Sequence, residues 1–333
     1  MTTQTQEKPL SVKGLFQFHD VIGLLSAGDA GFSNPVSIAL GPDPDSSGMY
    51  VLSRANPNQP EAVRVTRCTK EGEYVGQFGQ WGEAEGQFTW VTDMAFSHSG
   101  ELFIADEHSH RISVFTPEGQ YLRCFGKAGK GEGELDRPSG LAFDQKDNLL
   151  VVDTLNHRVQ RLTKDGQFLS SWGSQGSGPG QFNMPWGIAV DGQDNVYITD
   201  WRNDRVQKFD RNGKALLAFG RSGAGEGEFN RPTGIAVDAD GDVYVCDWRN
   251  DRVQVFGARG DYKDTLTGHA GMSQWALGYL AANPEVELKL NKAVQNIEPK
   301  KRFYRPVSVK VDGEGKVYVV DCYRHRVQIY QKR

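Results

Sequence analysis

Cysteine is scarce in this chain and is nowhere paired in a way that organises a fold. Cys68, Cys124, Cys246 and Cys322 are the 4 present in 333 residues, and no CxxC pair occurs. Neither a disulfide framework nor a thiolate zinc site is indicated, so the thiols read as reduced and structural. Long apolar runs are missing too. No segment approaches the roughly 20 apolar residues of a membrane span, and the opening stretch MTTQTQEKPLSVKGLFQF has no apolar run of secretory-signal length. These absences point to a soluble, cytoplasmic protein without membrane contacts. Positive charge is not in excess either: 38 Lys and Arg stand against 42 Asp and Glu, for a formal charge of -4 and a pI near 6.0. That removes the long-range basic field by which nucleic acid is captured, so DNA is not expected as a partner, although a local basic patch stays compatible with the composition.

What the chain has in abundance is a period. Pro138, Pro185 and Pro232 recur at a spacing of 47 residues, Val91 holds the same place one copy earlier, and Pro35 and Pro306 begin the outermost copies. A representative copy is PWGIAVDGQDNVYITDWRNDRVQKFDRNGKALLAFG, from Pro185 to Gly220. It reads as an apolar strand (187–190), a polar turn, an alternating strand (196–199), a loop ending in Arg205, a third strand, the Arg211 to Gly213 turn and a fourth strand. One such meander of roughly 40 residues cannot bury both faces, and six packed around an axis can. The innermost strands are expected to be the most apolar.

A second register runs through the same six copies. Arg64, Arg111, Arg158, Arg205, Arg252 and Arg326 follow the second loop, and Asp106, Asp153, Asp200, Asp247 and Asp321 stand five residues before the last five of them. The first copy departs, with Ser53 and a longer loop containing Pro57 and Pro60. A residue used in nearly every copy is architectural, so the Asp is assigned to backbone hydrogen bonds at its strand end and the Arg to tying down a loop. The stretches NHRVQ (156–160), HRVQ (325–328) and the twice-used DWRNDRVQ resemble the signature of NHL repeats. The resemblance covers residues 14–333 and implies an all-β, six-bladed β-propeller as a single domain, preceded by a flexible tail, 1–13. The sixth copy holds only three strands, while QFHDVIG (17–23) has the register of a displaced fourth strand. Pairing it with Arg326 to Tyr330 closes the ring and removes two open strand edges.

Other motifs resolve into turns. GKAGKGEGE, GSQGSGPGQ and GRSGAGEGE lack the Lys-Ser/Thr ending of a phosphate loop and recur between copies, and DADGDVY lacks the distant Glu of a calcium loop. Function is therefore sought where the repeat is broken, on the face carrying the loops after the second and fourth strands. The ligand- or partner-binding candidates there are Trp90, Asp93, Glu107, His108 and Trp186, with Trp201, Arg202, Trp248, Arg249, Cys322 and Tyr323. Each Trp equally reads as packing between blades, and Arg202 and Arg249 as solvated loop residues.

The longest interruption, about 268–300, is not loop-like in composition. Ser273 is placed to cap a helix carrying Trp275, Leu277, Tyr279 and Leu280, and Asn283 with Pro284 to open a second helix bearing Val286, Leu290, Ala293 and Val294 on one face. Two dispositions follow for this helical hairpin: a lid over the channel mouth, with Trp275 or Tyr279 reaching the site, or extra core on the side of the blades.

Two catalytic families with related architecture are testable by position. The resemblance to peptide-amidating lyases implies zinc histidines just after the repeat proline, where this chain has Val36, Thr92, Ser139, Trp186, Thr233 and Val307. The calcium-dependent lactonases imply channel carboxylates, and Asp93 alone fits. Neither metal nor cofactor is predicted. The leading expectation is a non-catalytic scaffold recognising a protein or peptide around the channel mouth. The alternatives are a lyase or hydrolase at that mouth, and single-stranded RNA binding, which the propellers of tripartite-motif proteins imply. Against RNA stand the pI and the interleaved Asp204, Asp251 and Glu107. Nothing in the pattern specifies an oligomeric state.

Overall fold

Second strands carry the fold. Met49–Ser53, Leu102–Asp106, Leu149–Asp153, Val196–Asp200 and Val243–Asp247 are buried along their whole length, and Lys316–Asp321 along all but its first residue. Their β-branched and aromatic residues pack on both faces against neighbouring blades, which is why they read as continuous apolar runs. In the computed structural model, which describes residues 14–26, 31–41, 48–54, 59–283, 285 and 298–333, these strands sit inside six four-stranded antiparallel sheets. The fold is a six-bladed β-propeller. The expectation that the innermost strands would be the most apolar is corrected: Pro185–Val190 and its equivalents mix buried with half-buried positions, because one side faces the channel. Close approach of those strands needs glycine, since a Cβ on Gly140, Gly187 or Gly234 would lie 2.6, 2.2 or 2.6 Å from a backbone oxygen of the next blade.

The ring closes between chain ends. Phe16–Ile22 pairs antiparallel with Arg326–Lys332, from Phe16 opposite Lys332 to Ile22 opposite Val327, with an irregularity at His19. The sixth sheet thus combines one N-terminal and three C-terminal strands. Residues 1–13, expected as a tail, and Pro57 lie outside the described residues.

The repeated Asp and Arg form a network in each of blades three to six, with a variant in blade two and Ser53 in place of the Asp in blade one. In blade four the buried Asp200 carboxylate accepts from Asn183 N–H (2.7 Å), Asn203 Nδ2 (2.8 Å), Arg205 Nε (2.9 Å) and Gln207 Nε2 (3.3 Å). Arg205 then donates through its terminal nitrogens to the carbonyls of Ser177, Gly178 and Gln181 in the glycine-rich loop. Arg252 treats Ala224, Gly225 and Glu228 in the same way. In the second blade the Thr89 hydroxyl occupies Asp106 instead, and Arg111 reaches only the loop carbonyls of Glu83, Ala84 and Gln87.

A latch joins successive blades. The residue before five of the six arginines adopts a left-handed conformation (φ 50–54° at His110, His157, Asp204, Asp251 and His325). Its side chain accepts the backbone N–H of the residue preceding the next first strand: His157 Nδ1 from Met184 at 3.1 Å, His325 Nδ1 from Asn34 at 3.1 Å, Asp204 from Arg231 at 2.8 Å, Asp251 from Arg305 at 2.8 Å.

The described part of the insertion with helix α1 takes the side-packed disposition. Helix α1 (Gln274–Ala282) is capped by Ser273, which accepts from Ala276 N–H, while its own hydroxyl donates to the Gly23 carbonyl. Trp275 donates to the Gly72 carbonyl and packs with Phe32, ring centroids 5.4 Å apart, against the cluster that holds Ile22. For helix α1 the lid is therefore overturned, because a helix this short needs a docking surface and finds it at the seam between blades six and one. Tyr279 is 47% exposed. The second helix, with Val286, Leu290, Ala293 and Val294, lies outside the described residues, apart from Glu285 at its start.

Three outcomes are expected. Asp200→Ala strands buried donors and lowers stability by about 1–3 kcal/mol in urea unfolding; an unchanged midpoint would remove the Asp from the architecture. Deleting residues 1–24 leaves Arg326–Lys332 as an open edge, so the truncated chain self-associates in analytical ultracentrifugation, whereas a stable monomer with the parental Tm contradicts the closure. The third concerns the latch. Burial lowers the His157 and His325 pKa values below the ordinary histidine value, so each ring protonates less readily folded than unfolded. Above about pH 6.5 the latch contributes fully, and below it the unfolded chain takes up protons first and stability falls. Replacing both by aspartate, as at positions 204 and 251, should flatten that fall between about pH 6.5 and 5 in calorimetry. Identical slopes in parent and variant would rule the histidines out as its source.

Candidate functional site

The Asp network decides where the chain goes next. Once Asp200, Asp247 and Asp321 are clamped, Trp201, Trp248 and Cys322 are the first residues released, and they turn onto the channel mouth. They meet the residues just before and within the first strands. The result is a pocket of about 530 Å³ lined by Trp90, Trp186, Trp201, Trp248 and Tyr323, with Asn34, Val36, Arg54, Thr92, Thr233, Val307 and Cys322. Five of the six positions just after the repeat proline thus form its wall, all but Ser139. Below, the space bordered by Asp93, Gly140, Gly187, Gly234 and Ser308 shrinks to about 20 Å³, roughly one water. The mouth is a cup with a constricted base.

Arginines hold the aromatic rings. Arg231 lies over Trp201 at 4.6 Å, Arg305 over Trp248 at 4.7 Å and Arg54 over Trp90 at 4.8 Å. Arg231 and Arg305 both precede a repeat proline and both have φ near 60°, a geometry the latch from Asp204 and Asp251 enforces. Each guanidinium therefore stacks on the Trp of the preceding blade, a contact of about 0.5–2 kcal/mol. Arg305 also donates to the Trp248 carbonyl at 3.3 Å. On the exposed side, Arg202 and Arg249 stand 5.8 Å from the same two rings.

Arg54 is the charged group of the wall. Its Nε donates to the Val91 carbonyl at 2.9 Å, and burial draws its pKa below the ordinary arginine value, with Glu107 the largest opposing influence. Burial likewise raises Glu107, against the pull of Arg54 and Arg137. The Cys322 thiol is pushed up to about 12 by burial, so it is not a ready nucleophile. Among the described residues, no three His, Cys, Asp or Glu side chains converge as a metal site would require.

Of the sequence candidates, Trp90, Trp186, Trp201, Trp248, Cys322 and Tyr323 come together in the pocket. Asp93 sits deeper, spanning three blades: its carboxylate accepts from Ser37 Oγ (2.5 Å) and Leu141 N–H (2.9 Å). That is a packing role, and it corrects the placement of Asp93 at the mouth. His108, Arg202 and Arg249 are exposed on the rim, outside the pocket wall. Trp275 and Tyr279 belong to the side-packed helix and are removed from the site. Sequence reasoning missed Arg54, Arg231 and Arg305. A signal existed for two of them, since Arg-Pro follows Trp201 and Trp248 at the next blade boundary, but pairing them requires knowing that consecutive blades touch there.

Comparisons place this geometry among known proteins. Residues 135–162, 182–209, 229–256 and 303–330 match the NHL repeat, which are blades three to six; the first two carry Ser53 and the Thr89 variation. No curated protein sequence matches the chain. Among solved structures, a protein of unknown function from Bacteroides thetaiotaomicron aligns with a TM-score of 0.61 at 18% identity, over 92% of this chain and 72% of that one. An inactive variant of virginiamycin B lyase from Staphylococcus aureus, with quinupristin, aligns at 0.58 and 13%, over 95% and 99%. A streptogramin B lyase structure aligns at 0.56 and 11%, over 96% and 98%. At such identities the likeness is one of fold.

Proposed function

Because the chain is a six-bladed β-propeller built of NHL repeats, we propose that it is a non-catalytic recognition module that seats part of a protein or peptide partner in the aromatic cup at the channel mouth. The observation that supports this reading most is the cup itself: a ligand-sized space in which four tryptophans and a tyrosine from four blades converge. Ligand pockets are mostly apolar with a few placed polar groups, and buried aromatics with arginine are the usual energetic anchors of interfaces. The Trp/Arg stacks hold the indoles in place before a partner arrives, which lowers the ordering cost of binding.

A lyase reading, prompted by the solved lyases of similar fold, finds little chemistry in the wall. Its titratable members are Arg54, Cys322 and Tyr323, and the thiol is held protonated by burial. RNA stacking draws on the same tryptophans, but Arg231 and Arg305 already spend their planar faces on the indoles.

Selection from a random peptide library tests the reading. The wild-type chain should enrich a recognisable set of peptides, and Trp186→Ala or Trp248→Ala should lose it with a Tm within a few degrees of the parent. Retention of the same peptides by both variants would place recognition elsewhere on the surface.

A further inference from the structure

The cup is apolar almost throughout, yet one strongly charged group is built into its wall. Arg54 stands where the other blades have Glu107, Thr154, Trp201, Trp248 and Cys322, directly after the end of the second strand. Its plane is fixed on one side by Trp90 at 4.8 Å, and its Nε is spent on the Val91 carbonyl. The two terminal nitrogens make no hydrogen bond, and no carboxylate stands within 4 Å of them, among the described residues. This differs from the architectural arginines: Arg205 satisfies every nitrogen with Asp200 and three loop carbonyls. Arg54 is half-buried in the cup wall, so its open donors face the cup, where an anionic ligand would complete them.

Apart from Glu107, whose carboxylate acts on Arg54 without forming an ion pair within 4 Å, the charge around the mouth has the same sign. Arg231 and Arg305 stand over the mouth tryptophans, with Arg202 and Arg249 outside them. The nearby Asp204 and Asp251 are committed to the backbone N–H groups of Arg231 and Arg305. On a chain of net charge -4, this rim is a local positive focus around an apolar cup.

Taking the recognition reading above as its basis, we infer that the cup binds a carboxylate attached to a bulky apolar or aromatic group, with the carboxylate on the terminal nitrogens of Arg54 and the apolar body among Trp186, Trp201, Trp248 and Tyr323. A guanidinium presents two parallel N–H donors that match a carboxylate's two oxygens, and a fork held by an indole and a carbonyl keeps that geometry at low entropic cost. Two sources supply this chemistry: the free C-terminus of a peptide ending in a large apolar residue, or a small free acid.

Isothermal titration of the full chain separates them. The probes are N-acetyl-phenylalanine, its primary amide, and a short peptide ending in phenylalanine as free acid and as amide. Each acid should bind more tightly than its amide, on the order of tenfold or more, as a charge-assisted bond to a half-buried guanidinium implies. Arg54→Gln should erase that preference, and Arg54→Lys, which retains charge without the fork, should keep only part of it, with circular dichroism and Tm establishing that both variants fold. Tighter binding of the peptide acid than of N-acetyl-phenylalanine identifies a peptide terminus as the ligand; equal binding identifies the free acid. If acid and amide bind alike, the carboxylate inference fails while the cup remains a recognition site. If none of the four binds, the inference fails, and the library selection decides separately whether the cup recognises anything.

Discussion

A buried carboxylate in each of blades two to six organises the molecule. The Asp at the end of a second strand gathers a backbone N–H from the preceding inter-blade segment and side-chain donors from its own loop, all out of water. A buried charge is tolerable only when its lone pairs are filled, so these donors are obligatory rather than optional. The consequence spreads outward. The clamped Arg reads the carbonyls of a glycine-rich loop that has no regular structure of its own, and the neighbouring Gln accepts an N–H from the same loop, as Gln207 does from Gly180. Loops with few apolar residues are thereby tied to the blades by side-chain hydrogen bonds.

The same clamp aims the mouth. In blades four to six the Asp fixes the chain direction and the next residue, Trp201, Trp248 or Cys322, emerges at the cup; Arg54 holds the equivalent place after Ser53, while Glu107 and Thr154 lie outside the cup wall. Architecture and the lining of the cup are thus separated by one peptide bond. The latch completes the arrangement, since the left-handed conformation it imposes on Arg231 and Arg305 swings their side chains back over the indoles of the previous blade.

Much of this was legible because repetition turns a weak local signal into a strong one. The Asp/Arg spacing identified architectural positions, and the register of 17–23 against the other fourth strands pointed to the closing pair seen between Phe16–Ile22 and Arg326–Lys332. The mouth tryptophans were found by departure from the repeat. Where repetition gave no guide, reading failed. Asp93 looked like a channel-mouth carboxylate, but substituting for glycine at a close approach of blades draws its oxygens to Ser37 and Leu141. Helix α1 has no counterpart in other copies, so its apolar residues showed that it must dock without showing where.

The sequence by itself determined the number of blades, the order of strands, the closing strand and the set of residues that recur for structural reasons, because each of these follows from a period of 47 and from the requirement that every sheet bury both faces. Only the tertiary structure decided which irregular residues meet. The cup joins Arg54 of the first blade, Trp90 of the second, Trp248 of the fifth and Tyr323 of the sixth, residues far apart in the chain that share no motif. Their convergence, and the stacking of an arginine from one blade on a tryptophan from the blade before it, are products of packing around an axis, a geometry that no local pattern encodes.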